Sequence, residues 1–405
     1  MTNNMTYPLT YDLVPPEEIY GRISRLQQKL TEAELSGALI LDGINMFYYT
    51  GTIQMGILFV PAHLEPVLFI RRSFDRAKRE TPLKALARMK SFGDLPGVLK
   101  GYGYRLKRIG LDETTLRVSV QKKLAKAFPG AFFEDISSIL SEIRTVKSDY
   151  EIGLIREAGR RHKAIFDCIP GMIHEGMTEW ELGSAIHAEM LKLGYTGIGR
   201  FSGSDTEFFA GIVSFGESSN FPTASLGPGG LVGLCPAFPL LGGARRLKKD
   251  DVIFIDTGFA YGGYYSDMTR IYCLGRPPQA AVDAHNICLE IQEAVRSRLR
   301  PGAIPSEIFE EVYKTQVVPR RFEENFMGFG SNQLPFLGHG VGLIIDEVPV
   351  IARKTHLPLR KNMVIALEPK KGIKGTGLVG IENTFLVTEQ GGEKLTPGPD
   401  NIIIV

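Results

Sequence analysis

The chain has few of the features that mark secreted, membrane-bound or nucleic-acid-binding proteins. Its 405 residues include only four cysteines, Cys168, Cys235, Cys273 and Cys288, and their irregular spacing favours a reduced, cytoplasmic protein over a disulfide-stabilised one. No apolar run approaches the ~20 residues that span a bilayer, and the first residues lack the basic and apolar regions of a signal peptide. The formal net charge of +2 gives no electrostatic reason to expect nucleic acid or a membrane as a partner.

The length and the pattern of the chain predict two domains. An apolar content of 43% and a charged content of 23% are ordinary for a globular protein, and 405 residues are enough for two hydrophobic cores. Ser148 and Glu151 form a capping-box pair that opens a helix, so we place the boundary just before it, giving domains 1–143 and 144–405. Strands predicted at 37–42, 57–60, 67–71 and 108–111 alternate with helices at 15–30 and 118–127, which favours an α/β domain at the N-terminus.

Residues 251–270 form the first motif with chemical content, two β-like runs around a Gly-Gly pair. If the turn centres between Tyr261 and Gly262, Asp256 and Asp267 face each other across the strands, with Cβ atoms ~4.5–5.5 Å apart. Facing carboxylates repel, so a cation should compensate them. Arg270 could do so as an ion pair, and a divalent metal ion could do so better. Taken alone, the motif also fits two solvated aspartates that flank a turn.

A second pair of carboxylates repeats this arrangement near the C-terminus. Glu368 and Glu382 lie at equal distances from Gly375, in two further β-like runs joined by a Gly-rich turn. Between the two hairpins, a histidine stands between glycines in the segment 338–342. Oxygen ligands with one imidazole suit a pair of divalent ions such as Mn, Co, Fe or Zn. The predicted metal ligands are therefore Asp256, Asp267, His339, Glu368 and Glu382.

The order Asp, Asp, His, Glu, Glu resembles the pita-bread metallopeptidases. This family includes Xaa-Pro dipeptidase (prolidase), aminopeptidase P, methionine aminopeptidase and the non-metal relative creatinase. The stretch 45–51 is similar to one near the start of prolidase and creatinase N-terminal domains, and 144–155 is similar to the opening of the family's catalytic domain. The resemblance implies an α/β (α+β) protein, with a creatinase-like N-terminal α/β domain and a C-terminal pita-bread domain built on a duplicated α/β core.

The resemblance also implies an activity. In these enzymes two divalent ions hold a bridging hydroxide that attacks the peptide carbonyl. For this chain we expect the two ions to be manganese, with cobalt, iron or zinc as alternatives. Glu368 would then be both a metal ligand and the group that shuttles the proton. The expected reaction is hydrolysis of the bond before proline, by a Xaa-Pro dipeptidase or an aminopeptidase P-like enzyme. A small peptide or other small molecule is the expected substrate, and relatives of this kind commonly form homodimers.

The two positions of the family's accessory histidines are among those that depart from the family pattern. Thr223 stands where the peptidases carry one accessory histidine, and Asp346, seven residues after His339, stands where they carry another. Thr223 can still donate a hydrogen bond, whereas an ionised Asp346 only accepts, so Asp346 would serve as a base or hold a cationic group of the substrate. The Gly/Pro-rich segment 224–246 is longer than in the family, which predicts either a wall or lid of the site or a disordered loop.

These departures leave three hypotheses open. The first is a Xaa-Pro peptidase, with Glu368, Asp346 and Thr223 as the candidate catalytic residues. The second is a hydrolase or lyase that acts on a small non-peptide substrate at the same metal site, with Asp346 as its base. The third is a binding protein on a relic fold, against which the retention of four facing carboxylates argues.

Overall fold

The chain divides into two compact units, one ending at Ile143 and the other beginning at Arg144. The computed structural model describes residues 8–104, 106–202, 207–208, 211–223, 227–237 and 239–405, with only the backbone given for 207–208. Residues 224–226 and 238 of the long Gly/Pro-rich segment therefore lie outside the described residues. Within the described ranges, no helix has the length and apolar character that crossing a bilayer requires.

The N-terminal unit is a six-stranded mixed sheet with helices between its strands. The strand order is β4-β3-β2-β1-β5-β6. Strand β2 runs antiparallel to β1 and β3, whereas β3 pairs in parallel with β4, β1 with β5, and β5 with β6. The predicted α/β class is thus confirmed for this unit. Its elements are α1 (Pro16–Glu32), β1 (Gly37–Ile40), α2 (Gly43–Thr50), β2 (Gly56–Pro61), β3 (Val67–Ile70), α3 (Phe74–Glu80), β4 (Ala85–Arg88), α4 (Leu95–Gly101), β5 (Arg108–Leu111), α5 (Val118–Ala127), β6 (Phe132–Asp135) and α6 (Ser137–Thr145).

In the part of the chain that the structure describes, the C-terminal unit contains two four-stranded sheets and two two-stranded sheets. The larger sheets have the strand orders β18-β11-β10-β9 and β12-β13-β16-β17. The elements are α7 (Asp149–Cys168), α8 (Glu179–Lys192), β7 (Gly199–Arg200), β8 (Glu207–Phe208), β9 (Ile212–Phe215), β10 (Val252–Tyr261), β11 (Tyr264–Cys273), α9 (Gln279–Arg296), α10 (Pro305–Val312), β12 (Gly338–Gly340), β13 (Val364–Leu367), β14 (Lys370–Ile373), β15 (Gly377–Gly380), β16 (Asn383–Thr388), β17 (Gly391–Lys394) and β18 (Ile403–Ile404).

Helix α7 begins where the sequence predicts it and packs on the hairpin β10–β11. The Ser148 side chain accepts from the backbone N–H of Glu151, whose carboxylate accepts in return from the N–H of Ser148, so both partners of the capping box are present. On the inner face of the helix, His162 bridges the two strands, contacting Thr257 Oγ1 at 2.8 Å and Ser266 Oγ at 3.1 Å. This histidine is a core residue that ties the helix to the hairpin.

The hairpin β10–β11 has a different register from the predicted one. Tyr261 pairs with Tyr264, so the turn consists of Gly262 and Gly263, both with positive φ (58° and 88°), as a two-residue hairpin of this type requires. Asp256 consequently pairs with Thr269, while Asp267 pairs with Gly258. The two aspartates are diagonal neighbours on one face of the hairpin rather than directly opposed. The prediction erred by one residue in the position of the turn.

The glutamate pair has the predicted register. Leu367 pairs with Asn383 in one ladder, and Lys370 pairs with Gly380 in the next. Glu368 and Glu382 therefore lie opposite each other where the two ladders meet. Near this junction Thr269 of β11 bridges to Glu382, which joins the aspartate hairpin to the glutamate strands.

Candidate metal centre

The five predicted ligands line one cavity of about 260 Å³ in the C-terminal unit. Their side chains come from β10, β11, β12 and the two junctions between β13 and β14 and between β15 and β16. The same cavity is lined by apolar side chains from several of the surrounding segments. The lining residues that bear on the chemistry are Asp256, Asp267, His339, Asp346, Glu368 and Glu382, and the apolar wall includes Phe201, Ile212, Leu240, Phe336, Ile345 and Val350.

The carboxylates and the imidazole form two overlapping groups. Ligand atoms of Asp267, His339 and Glu382 lie within 4.8 Å of one another, and so do those of Asp256, Glu368 and Glu382. Glu382 belongs to both groups. Such clusters of oxygen and imidazole donors fit divalent ions, and at the level of residue type each group offers the donors that one ion needs.

His339 is oriented as a metal-binding imidazole would be. Its Nδ1 lies 3.1 Å from the carbonyl oxygen of Gly340. In the tautomer that donates this hydrogen bond, Nε2 carries a free lone pair directed into the cluster. Nε2 lies 3.3 Å from Glu368 Oε1 and 3.7 Å from Glu382 Oε1.

A lysine that sequence analysis missed lies inside the cluster. Lys370 has no exposed surface, and its Nζ donates to Asp256 Oδ2 at 2.8 Å, Glu368 Oε2 at 2.8 Å and Glu382 Oε2 at 3.0 Å. The sequence held a signal for it, because residues two apart on a strand point to the same side, and Lys370 follows Glu368 by two. Arg270, the alternative compensating cation, does not contact Asp256 or Asp267, because its guanidinium donates to backbone carbonyls and to Asn383 and pairs with Asp400.

The pKa values of the buried acids and of the imidazole in the cluster are shifted far from their usual values. Burial and the neighbouring charge of Asp256 raise the pKa of Asp267 to about 8, and burial together with the charge of Asp267 raises the pKa of Glu382 well above its usual value. Burial alone would lower the pKa of His339, but its hydrogen bond to Glu368 and the surrounding carboxylates raise it to about 10. These directions describe carboxylates that repel one another around a position suited to a cation.

One atom gives a direct test of whether a metal ion fits. Glu382 Oε1 is buried and has no hydrogen-bond partner among the described residues, although the other oxygen of the same carboxylate bonds Lys370 and Thr269. A buried carboxylate oxygen left without a partner is costly. It faces Nε2 of His339, so Asp267, His339 and Glu382 fit a divalent ion at this position.

Asp346 and Thr223 occupy different surroundings. Asp346 lines the cavity and accepts two hydrogen bonds from Ser202, from its backbone N–H at 2.6 Å and its hydroxyl at 2.7 Å. Thr223 is absent from the cavity lining among the described residues, and its hydroxyl donates to the carbonyl of Pro239. This geometry gives no support to Thr223 as a donor to substrate. The long segment that follows it contributes Gly227 and Leu240 to the wall, as a wall-forming loop would.

Profiles of two families match consecutive parts of the chain. Residues 153–389 match metallopeptidase family M24, and residues 22–146 match the creatinase/prolidase N-terminal domain. A Xaa-Pro dipeptidase of Pyrococcus furiosus is 26% identical over 378 residues, which cover 93% of this chain and 97% of that protein. An uncharacterised peptidase of Staphylococcus epidermidis is also 26% identical, over 93% of this chain and 98% of that protein.

Solved structures show the same two-part architecture. An X-Pro aminopeptidase from Thermotoga maritima superposes with a TM-score of 0.78 at 25% identity, covering 95% of this chain and 99% of that one. A Xaa-Pro dipeptidase from Bacillus anthracis gives a TM-score of 0.81 at 24% identity, covering 96% and 100% of the two chains, and supports the fold alone.

Proposed function

Since this chain belongs to metallopeptidase family M24, we propose that it hydrolyses the peptide bond before proline in small peptides, in the manner of a Xaa-Pro dipeptidase. The chain is a peptidase of the hydrolase class whose family uses divalent metal ions. The observation that carries the proposal is the convergence of all five predicted ligands on one cavity with an apolar wall. At about 260 Å³, the cavity falls just below the ~300–1,000 Å³ of sites for drug-sized ligands, a size that suits a dipeptide.

Different residues of the cavity would have different roles in such a reaction. When bound, a divalent ion supplies a water of lowered pKa and polarises the scissile carbonyl. Glu368 has one oxygen 3.3 Å from His339 Nε2 and is the group placed to hold and return a proton. Phe201, Ile212 and Leu240 offer the apolar surface that a proline ring requires. Asp346 holds the backbone and the hydroxyl of Ser202, which also lines the cavity.

One observation favours a second candidate function, the hydrolysis or lysis of a small non-peptide substrate. Asp346 stands in the cavity where the peptidases carry a hydrogen-bond donor, and an ionised carboxylate cannot stabilise an oxyanion. Losing one such donor can cost ~2.7–4 kcal/mol of transition-state stabilisation. A substrate with a cationic group would instead gain from this carboxylate.

Substrate length tests the proposal. The purified full-length chain, loaded with Mn²⁺, is assayed against Xaa-Pro dipeptides, Xaa-Pro-Xaa tripeptides and the same peptides with alanine in place of proline. Cleavage of the proline dipeptides, with little cleavage of the other two sets, is the expected result. Preference for the tripeptides would indicate aminopeptidase P activity. Failure to cleave any proline peptide, with each candidate metal, would reject the peptidase proposal in favour of the second candidate.

A pair of histidine variants shows whether the cluster performs the reaction. His339→Ala removes the imidazole from the cavity and should abolish cleavage. His174→Ala, at an exposed position that does not line the cavity, is the matched control and should keep the wild-type rate. Equal rates in both variants would place the activity elsewhere, for example in a contaminating peptidase.

The proposal also covers the identity of the metal ion, the oligomeric state of the protein and its location in the cell. We propose manganese because three or more carboxylate oxygens with a single imidazole form a mostly hard donor set. We also propose a cytoplasmic homodimer, on the basis of family resemblance. Elemental analysis of the protein as purified, and light scattering at several concentrations, measure the metal and the assembly.

A further inference from the structure

We propose that the ammonium group of Lys370 takes the place of one of the two metal ions, so that this centre binds a single divalent ion between Asp267, His339 and Glu382. The proposal rests on the proposed function only in taking the carboxylate cluster to be a metal centre. It differs from the two-ion site that the sequence pattern predicts. Its subject is the number of ions, which can be measured without a substrate.

The ammonium of Lys370 occupies the position that a metal ion would take between Asp256, Glu368 and Glu382. A lysine ammonium has three N–H donors and no acceptor, and Lys370 directs its donors at three different carboxylates. All three distances, 2.8 to 3.0 Å, are those of charge-assisted hydrogen bonds. A divalent ion would need the same three oxygens at ~2.0–2.2 Å. It could bind there only after displacing the ammonium.

The neighbouring strand is shaped to admit this side chain. Gly380 pairs with Lys370 across β14 and β15 and has a φ of 149°, a conformation that residues with side chains rarely adopt. A Cβ at Gly380 would lie 2.6 Å from the Cα of Lys370 and 2.9 Å from its Cγ. The absence of a side chain at position 380 therefore lets the lysine run past into the cluster. The ring of Phe254 lies below, with its centroid 5.6 Å from Nζ.

The other half of the cluster remains available to an ion. Each glutamate divides its two oxygens: Oε2 bonds Lys370, while Oε1 faces His339 Nε2. Glu382 Oε1 has no partner among the described residues, and Asp267 completes the group. The lysine thus leaves one open position with an imidazole and carboxylate oxygens around it.

The charges of the buried cluster agree with one ion. Four carboxylates and one ammonium leave three negative charges, with His339 neutral as a ligand. One divalent ion reduces this to a single negative charge. Two divalent ions would leave a net positive charge and would place the second ion against the ammonium, where burial makes repulsion expensive.

Metal stoichiometry tests the proposal directly. The full-length protein is stripped with a chelator and titrated with Mn²⁺ by calorimetry, and bound metal is counted after equilibrium dialysis. We expect one equivalent per chain, with the electron paramagnetic resonance spectrum of isolated Mn²⁺ and no spin-coupled pair. Two equivalents, or none, in the wild-type protein would overturn the proposal.

Two lysine variants locate the effect. Lys370→Met keeps an unbranched side chain one atom shorter and removes its charge, and we expect it to bind a second equivalent of Mn²⁺. Lys371→Met is the matched control, because the ammonium of Lys371 bonds the carbonyls of Phe322 and Glu324 and does not reach the cluster. The control should still bind one equivalent. A folded Lys370→Met protein that binds one equivalent would contradict the assignment of Lys370. If this variant does not fold, Lys370→Gln is measured in its place and judged by the same criterion.

The stoichiometry and the peptidase assay can fail independently. One bound ion without cleavage of any proline peptide would retain the single-ion centre and reject the proposed function. Two bound ions with cleavage of proline dipeptides would do the opposite.

Discussion

The two halves of the carboxylate cluster are made from the same residue types but obtain their positive charge from different sources. On one side, Asp256 and one oxygen of each glutamate surround Lys370. On the other, Asp267, His339 and the orphan oxygen of Glu382 surround a position that no side-chain cation of the described chain fills. The comparison teaches that a set of ligand residues does not by itself fix the number of ions, because a lysine side chain beside them can supply one of the positive charges.

The largest effect is expected from removing the lysine in the absence of metal. Lys370→Met should lower the free energy of unfolding by about 3–5 kcal/mol, the range for breaking a buried ion pair at one partner. The reason is that two buried carboxylates, of Glu368 and Glu382, and the partly buried carboxylate of Asp256 lose their shared donor. Thermal unfolding with chelator, and again with Mn²⁺, measures the change, and Mn²⁺ should restore most of the loss. Equal stability of wild type and variant in chelator would show that the ammonium does not compensate this half.

The second largest effect is expected from replacing each aspartate in turn with asparagine, because Asp256 and Asp267 belong to different halves of the cluster. Asp267→Asn should weaken Mn²⁺ binding by more than 100-fold, beyond the ~10–100-fold typical of groups that only support a ligand. Asp256→Asn should weaken it by less than about tenfold, because the Asp256 carboxylate bonds Lys370. Calorimetric titration of the two proteins measures both values, and each variant is the control for the other. Equal losses would show that both aspartates bind metal, as in a two-ion centre.

The sequence predicts which five side chains come together in the cavity, and it predicts less well how their charges are compensated. The residue types and their order are sufficient to predict that the cavity brings together Asp256, Asp267, His339, Glu368 and Glu382, because a candidate metal centre draws on a narrow set of donors. The aspartate register was wrong because a Gly-Gly pair can sit at either of two places in a turn, and each choice moves the pairing by two residues. Lys370 was missed because a lysine usually lies at the surface, and only the paired strands show that this one is enclosed.

The pH dependence of the free energy of unfolding tests the contact of His162 with the hairpin β10–β11, which carries an aspartate of each half. His162 contacts Thr257 and Ser266 in the hairpin that carries both aspartates, and burial lowers its pKa to about 3. Because the unfolded histidine has a pKa of ~6.5, the unfolded chain binds the proton first, so this contribution is complete above about pH 6.5 and is lost as the pH falls toward the folded value. The loss should reach about 2 kcal/mol at pH 5.

His162→Gln should lack this part of the acid sensitivity while being less stable at neutral pH. Chemical denaturation of the full chain at a series of pH values measures it, with His174→Gln as the exposed control. A variant that loses stability between pH 6.5 and 5 as steeply as the wild type would show that His162 is not the group responsible. Metal stoichiometry should stay at one equivalent in both proteins, because neither substitution removes a group of the carboxylate cluster.

The smallest effect concerns Asp346, which lines the cavity without belonging to either half. Both of its oxygens are engaged by Ser202, so its first task is to hold that residue, and Asp346→Asn can keep one of the two bonds. We expect kcat/KM for a Xaa-Pro dipeptide to fall by less than about tenfold, in line with ~1 kcal/mol for a hydrogen bond lost. Asp346→His, which restores a donor at this position, should raise the rate if the substrate is a peptide and abolish it if the carboxylate is the base of a non-peptide reaction. A loss of more than about 100-fold in the asparagine variant, at unchanged metal stoichiometry, would mean that Asp346 exchanges a proton with the substrate, and the second candidate function would then replace the first.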